Sequence, residues 1–523
     1  MMEKQNLGRE AKRSEVRLPL RDILLAFLIL GLHFGRDGNA SAAERPPNIV
    51  FILADDLGIG DIGPYGQKKI HTPNIDRLAA EGMKFTNHYS GSNVCAPSRC
   101  SLMTGLHTGH TYIRENRGGL SDGKGKEGQE PVPANYLSLP LGLKKLGYAT
   151  GGFGKWGLGF IGTTGDPLAQ GFDHFYGYNC QGVAHNYYPD HLWDDAKRVA
   201  LKNPDFSAHQ KLPADADPKN PASYDRYRGT EYAPDLIAAK AREFLRASKA
   251  KPFFLYFPTT VPHLALQVPE DSLKEYEGQF PDEPYIGDRD YLPVFKPHAT
   301  YAAMVTRMDR EVGRLMDLVK ELGLDDNTVF VFTSDNGALF DTYGGTDSDF
   351  FNSNAGLRGR KGSNFEGGLR APLIVRWKGH IAAGTTTDRI CGFEDWLPTL
   401  LEIIGAKDAF RSKIDGVSFA PVLFGKTAEP KPFIYRESPG GDGQQSIREG
   451  KWKAIRLNLN PRPRVKDKTP GAAQLFDLEK DPAETKDVAA QNPEIVKHLA
   501  EILQREHTPS KLFPLKSIDS PAP

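Results

Sequence analysis

Residues 48–54, NIVFILA, form an unbroken apolar run, and the acidic pair Asp55-Asp56 follows at once. A strand with one wet face alternates polar and apolar side chains. An uninterrupted run is what a strand buried on both faces requires, and a sheet covered by helices on both sides provides that burial. The pattern recurs along the chain. YATGGFG follows the helix-like LPLGLKKLG, and PFFLYFP (252–258) follows APDLIAAKAREFLRAS. NTVFVFTSDNG (327–337) follows YAAMVTRMDREVGRLMDLVKELG, and APLIVRW (371–377) precedes FEDWLPTLLEIIG. Strands alternating with helices predict an α/β fold with a large, mixed, mostly parallel sheet sandwiched by helices. In TPNIDRLAAEG, Thr72 stands as helix cap, Pro73 at the first helical position and Gly82 as the stop, and MKFTNHYS then returns as a strand.

After Gly425 the texture changes. PFIYRES, QQSIREGKWKAIRL and AAQLFDLEKD read as short antiparallel strands, and NPEIVKHLAEILQREH as a closing helix. This predicts a smaller C-terminal α+β subdomain over 427–523, behind a larger domain over 43–426. Residues 180–230 and 340–370 lack periodicity, and loops of that length inside a domain usually carry function. No internal repeat is visible.

The first 42 residues are expected to be a removable export signal. Lys4, Arg9, Lys12, Arg13, Arg17 and Arg21 precede ILLAFLILGL (23–32), and small residues NASAA (39–43) follow, with Ala42 the last residue removed. The apolar run is about half the ~20 residues a membrane span needs. The expected location is therefore periplasmic or extracellular, without stable membrane association. Lys+Arg and Asp+Glu both total 66, so there is no global basic field for nucleic acid. Cysteines stand at 95, 100, 180 and 391. That is too few for a disulfide scaffold, although one bridge could form and its pairing cannot be read.

Asp55-Asp56 and Asp335-Asn336 end two expected central strands, and ligands of open α/β sheets sit at the carboxyl ends of strands. Three carboxylates and an amide oxygen converging there suit a hard cation, Ca²⁺ first and Mg²⁺ second. The alternative is that DDLG and SDNG merely make turns. In SNVCAPSRCSLMTG (92–105), Pro97 and Gly105 predict a helix over 97–104. Cys95 then lies just ahead of a helix N-terminus, where free N–H groups favour an anion, and Arg99 adds a planar fork of donors. The alternative is a small buried thiol.

CAPSR, continued by CSLMTG, resembles the C-x-P-S-R signature of the type I sulfatases of the alkaline phosphatase superfamily. NIVFILADDLG, TPNIDRLAAEG, GFGKWGLG, SDNG, LRGRKGSNFEGGLRAPLIVRW and LFDLEKDPAE occur in the family's order. The resemblance implies an alkaline-phosphatase-like fold and a sulfuric ester hydrolase. It implies that a formylglycine-generating maturation enzyme oxidises Cys95 to an aldehyde. One hydroxyl of the hydrated aldehyde attacks sulfur, and the other helps eject sulfate. Asp55, Asp56, Asp335, Asn336 and the residue formed from Cys95 resemble ligands of one calcium ion. Arg99 resembles the residue that steadies the hydrate, Lys155 and Lys361 the lysines that bind sulfate oxygens, and His263 the acid near the leaving oxygen.

One position departs from the family. Many members read G-K-W-H-L-G, with a histidine that touches the formylglycine hydroxyl, and this chain has Gly157 there. His185, in GVAHNYYPDHLW, is the expected substitute if its loop folds over the pocket. Two other functions are consistent with the motifs: a formylglycine-dependent phosphonate or phosphate ester hydrolase, and a non-catalytic sugar-binding relative. The latter would be expected to have lost Cys95 or a calcium ligand. The aromatics of GYNCQGVAHNYYPDHLW suit a sulfated carbohydrate, with galactose or galactosamine glycans as the expected class.

Overall fold

The computed structural model describes residues 45–118, 127–410, 413–461 and 471–519; the expected export segment lies outside them. Its strands are β1 (Asn48–Ala54), β2 (Met83–Phe85), β3 (His88–Tyr89), β4 (Ala149–Lys155), β5 (His174–Tyr178), β6 (His191–Asp194), β7 (Lys197–Ala200), β8 (Phe253–Pro258), β9 (Thr328–Ser334), β10 (Leu373–Arg376), β11 (Thr385–Thr387), β12 (Cys391–Gly392), β13 (Ile434–Ser438), β14 (Gln444–Glu449), β15 (Trp452–Leu457) and β16 (Gln474–Asp477). Ten of them form one sheet in the order β11-β2-β10-β9-β1-β8-β4-β5-β6-β7. β1 is central and parallel to both neighbours, with Ile52 opposite Phe257 of β8 and Phe332 of β9. β4 and β5 continue the parallel run, while β10 lies antiparallel to β9 and β6 antiparallel to β5.

Both faces of β1 are buried, as its unbroken apolar run requires. Val50, Ile52 and Ala54 pack with residues of the helices Ala233–Ser248 and Pro297–Glu321. Ile49, Phe51 and Leu53 pack on the other side with Ala96, Leu102, Trp396 and Leu400. Each such side chain contributes about 1.5–3 kcal/mol by leaving water. Parallel order also has a geometric result. The carboxyl ends of β1, β4, β8 and β9 lie at one edge, so whatever follows those strands is gathered there.

Three expectations change. MKFTNHYS is two short strands, β2 in the large sheet and β3 paired with β12 in a sheet of its own. The helix expected over 97–104 runs Cys95–Thr104, because Ser98 N already donates to Val94 O (3.3 Å). Pro97 is tolerated inside this first turn, where the N–H groups have no helical partner anyway. Cys95 is therefore the first helical residue rather than the one ahead. The region 180–230 also contains regular structure, notably the hairpin β6–β7 that extends the sheet edge. All four cysteines are free.

β13–β16 form a separate antiparallel sheet covered by the helix Pro493–Arg505, around Tyr435, Ile447, Leu475, Leu499 and Leu503. Beside it a buried ion cluster closes the junction with the large sheet. Glu366 accepts from Lys453 (2.8 Å), Arg370 (2.9 Å) and the Tyr89 hydroxyl (2.7 Å), and Lys453 also pairs with Glu484 (3.0 Å). Among the described residues no helix is long and apolar enough to cross a membrane.

Candidate active site

Asp55 and Asp56 follow β1, Asp335 and Asn336 follow β9, Lys155 ends β4, and His263 lies just beyond β8. The sheet thus brings together residues far apart in sequence. All are buried, and each is accounted for by specific contacts. Cys95 Sγ lies 3.5 Å from Asp55 Oδ1, 4.0 Å from Asp56 Oδ1 and 3.5 Å from Lys155 Nζ. Lys155 Nζ donates to Asp55 Oδ2 at 2.7 Å, and Lys361 Nζ to Asp56 Oδ2 at 2.7 Å. Arg99 grips Asp335 Oδ2 through Nε (3.0 Å) and Nη2 (2.8 Å), and its Nη1 donates to the Lys155 carbonyl (2.5 Å).

Asp56 adopts φ 65° and its N–H donates to Asp335 Oδ1 (3.1 Å), which turns its carboxylate toward that of Asp55. Asn336 Nδ2 donates to Asp56 Oδ1 (2.7 Å), while Asn336 Oδ1 is buried with no partner among the described residues. Ligand atoms of Asp55, Asp56, Cys95 and His263 all fall within 4.8 Å of one another. An orphaned amide oxygen beside three crowded carboxylates is an oxygen-donor set that fits a hard cation.

The electrostatics follow from burial. Removal from water pushes the Asp335 carboxyl up to about 6, with the neighbouring Asp55 charge adding to it. Burial also raises Asp56 despite Lys361. Asp55 feels the same burial, yet Lys155, Arg99 and Lys361 together bring it below the ordinary carboxylate range. Burial drives the Cys95 thiol up to about 12, so the unmodified side chain is a poor thiolate nucleophile.

Cys95 opens on a cavity of about 790 Å³, lined also by Gln181, His185, His263, Tyr291 and Lys361, with Phe340, Tyr343 and Arg360 beyond. His263 Nδ1 bonds the Leu264 carbonyl (2.5 Å), and its Nε2 faces Lys361 Nζ (3.0 Å) and Asp56 Oδ2 (3.4 Å). His185 lines the same cavity and stacks on His263, ring centres 4.8 Å apart and 10° from parallel. Burial pushes both imidazoles well below their ordinary value, followed by Lys361 for His263 and by the neighbouring His263 for His185.

All ten residues singled out in the sequence thus meet at one cavity edge or its rim. Sequence reading missed Gln181. A Cβ at Gly157, where φ is 83°, would lie 2.0 Å from Gln181 Nε2, so this amide occupies the room a side chain at 157 would need. Both amide atoms of Gln181 are buried without partners among the described residues. The glycine itself was the only sequence signal that some other group fills that space.

Comparisons with known proteins identify the family. The Sulfatase family profile matches residues 47–406, and the profile of the N-sulphoglucosamine sulphohydrolase C-terminal region matches 360–508. The chain is 31% identical over 425 residues to N-acetylgalactosamine-6-sulfatase of Rattus norvegicus, covering 79% of this chain and 72% of that one. It is 32% identical over 496 residues to arylsulfatase A of Homo sapiens, covering 88% of each. Among solved structures, Ps i-CgsB in complex with k-i-k-neocarrahexaose superposes with a TM-score of 0.70 at 27% identity, over 88% of this chain and 92% of that one.

Proposed function

Because this chain belongs to the sulfatase family and is a sulfuric ester hydrolase, we propose that it is an exported enzyme that removes sulfate from a sulfated carbohydrate through a nucleophile made from Cys95. The observation that carries this reading is the setting of Cys95: a thiol at a helix start, within 4.0 Å of Asp55, Asp56 and Lys155, facing a cavity large enough for a sugar. Oxidation by a maturation enzyme would turn Cys95 into formylglycine, whose hydrate supplies one hydroxyl to attack and another to release sulfate. Asp55, Asp56, Asp335 and Asn336 would hold a calcium ion, which supplies charge to an anionic sulfate and acidifies the hydroxyl.

The chain's own residues do the rest. Three carboxylates face three cations here, Arg99, Lys155 and Lys361, so added positive charge leaves a surplus for an anionic ester. Arg99 is locked by Asp335 and by the Lys155 carbonyl, and so steadies the nucleophile rather than roaming. Lys155 and Lys361 bring ammonium groups to the place where sulfate oxygens would lie. His263 is placed to protonate the leaving oxygen. Its Nε2 is the nitrogen turned to Lys361 and the cavity, and an anionic ester bound between them would favour a proton there. His185 is placed to take the proton of the attacking hydroxyl, in a chain that has Gly157 where relatives carry the usual imidazole.

The sugar reading is supported by Tyr291, Phe340 and Tyr343 around the cavity, by Arg360 for a further anionic group, and by the carbohydrate named with the relatives above. Galactose or galactosamine glycans are the proposed class. The test is to mature the protein, map the Cys95 peptide by mass and assay a panel of sulfated sugars. The peptide should lose one sulfur and two hydrogens and gain one oxygen, and sulfate should be released. Unmodified Cys95 in active enzyme, or release of phosphate but not sulfate from a matched panel, overturns the reading.

A further inference from the structure

Behind His185 a hydrogen-bonded chain runs outward from the cavity. His185 Nδ1 lies 2.9 Å from His209 Nε2, and His209 Nδ1 lies 2.7 Å from Asp290 Oδ1. Asp290 is held in turn, since Tyr343 OH donates to its Oδ2 (3.1 Å) and its own N-terminal neighbours fold so that Tyr285 OH reaches its carbonyl (2.5 Å). His185 is half-buried in the cavity wall, whereas His209 and Asp290 have side-chain exposures of 39% and 42%. One end of the chain therefore faces substrate and the other faces water.

Tutelage of one ring by the next follows from what each group can donate. An ionised carboxylate only accepts, so His209 must present N–H at Nδ1. The neutral His209 ring then has a bare Nε2, which can only accept, so His185 must present N–H at Nδ1. That leaves the His185 Nε2 lone pair as the proton acceptor available to the cavity. When Nε2 of His185 takes a proton, its Nδ1 proton can pass to His209 Nε2, which leaves His185 neutral with N–H at Nε2 and His209 charged; the reverse shift, as Nε2 gives its proton to product or to water, restores both starting tautomers. The positive charge then sits on His209, beside Asp290 and near solvent, and not between Lys155 and Lys361. No covalent bond other than N–H forms or breaks in this transfer.

We propose that Asp290 and His209 are positioning residues that fix the tautomer of His185 and take up its positive charge at the solvent side. This rests on the reading that His185 accepts a proton in the cavity. The arrangement solves a specific problem: a lone imidazole among buried cations is costly to charge, and burial together with His263, Lys155, His209 and Lys361 holds the pKa of His185 well down. The other charged and titratable groups facing the chain are Tyr291, whose ring lies 5.3 Å from His185 and 4.7 Å from His209, and Tyr343 beside Asp290.

The test uses matured full-length enzyme and four variants: His185→Ala, His209→Gln, Asp290→Asn and the double variant His185→Ala/His209→Gln. His209→Gln can keep both hydrogen bonds but cannot carry a proton. His209→Gln and Asp290→Asn should each lower kcat roughly tenfold or more with KM changed little, and should move the pH limb of kcat that His185→Ala abolishes. The double variant should be no slower than His185→Ala alone, because His209 acts only through His185. Nitrogen chemical shifts of ring-labelled histidine should show that Asp290→Asn redistributes the His185 tautomers. If His185→Ala lowers kcat while His209→Gln and Asp290→Asn keep the wild-type kcat and pH profile, the relay is overturned and the role of His185 stands. If His185→Ala itself turns over like wild type, the underlying reading of His185 fails. Additive losses in the double variant also overturn the relay, since they place His209 in another role.

Discussion

Lys361 lies in the turn just ahead of the short helix Glu366–Leu369, yet Lys361 and Glu366 belong to two different ion clusters. Glu366 is surrounded by Lys453, Arg370 and Arg448, and although burial opposes it, their charges draw its carboxyl well below the ordinary range. Lys453 bridges Glu366 to Glu484, and burial pushes up the carboxyl of Glu484. Lys361 reaches Asp56 in a cluster where the carboxyls of Asp56 and Asp335 are pushed up, and where the Asn336 oxygen has no partner among the described residues. The difference teaches how a buried ion cluster can be sorted. What separates the two is the cavity beside Cys95 and Lys361 together with the Asn336 oxygen that has no partner among the described residues, which leaves the site cluster open to a cation and an anion.

Substitutions can break the comparison, and the largest effect is expected at the nucleophile. Cys95→Ala should lower kcat by at least roughly 10³-fold while the melting temperature stays near wild type, read by sulfate release and calorimetry. Removing one acid from each cluster should then give opposite results. Asp56→Asn should cost roughly 10²-fold or more in kcat but, with both proteins compared in chelator, less than about 1 kcal/mol in stability, since Asn tolerates φ 65° and an unfavourable charge is lost. Glu366→Gln should cost about 3–5 kcal/mol in denaturant unfolding, because Arg370 loses its carboxylate and Lys453 keeps only Glu484. Equal stability losses in these two variants would erase the distinction.

Two smaller effects sharpen it. The folded-state pKa of Glu366 is depressed, so its contribution to stability is present above its ordinary value of 4.5 and is lost as pH falls below that. The acid limb of the melting curve should therefore flatten in Glu366→Gln. Chelation of calcium should lower the melting temperature reversibly, by the equivalent of about 2–3 kcal/mol if the ion was present at roughly 100 times its dissociation constant. That shift should vanish in Asp56→Asn and persist in Glu366→Gln.

Much of the fold was legible because its central strands are buried on both faces, which writes unbroken apolar runs into the chain. The edge hairpin β6–β7 was missed for the converse reason. Lys197 and Arg198 face solvent, and four-residue strands without alternation look like loop. The split of MKFTNHYS was invisible because β3 is defined by a partner, Cys391–Gly392, hundreds of residues away. In the site, Asp55, Asp56, Asp335 and Asn336 could be read because they end recognisable strands. Cys95 and Arg99 were singled out at a helix start, but their roles came from the resemblance of CAPSR to a family signature.

Sequence alone determined which chemistry could be present: a helix start bearing a cysteine and an arginine, acids at two strand ends, and a glycine where relatives carry an imidazole. These are local properties, set by neighbours along the chain. Only the tertiary structure decided what fills the room beside Gly157 and what stands behind His185. Gln181 takes the first place, and His209 and Asp290 take the second, His209 from 24 residues beyond His185 and Asp290 a further 81 along. Side chains that meet only after the chain has folded leave no periodicity behind, because their contact is fixed by packing of loops and not by any local preference of the backbone.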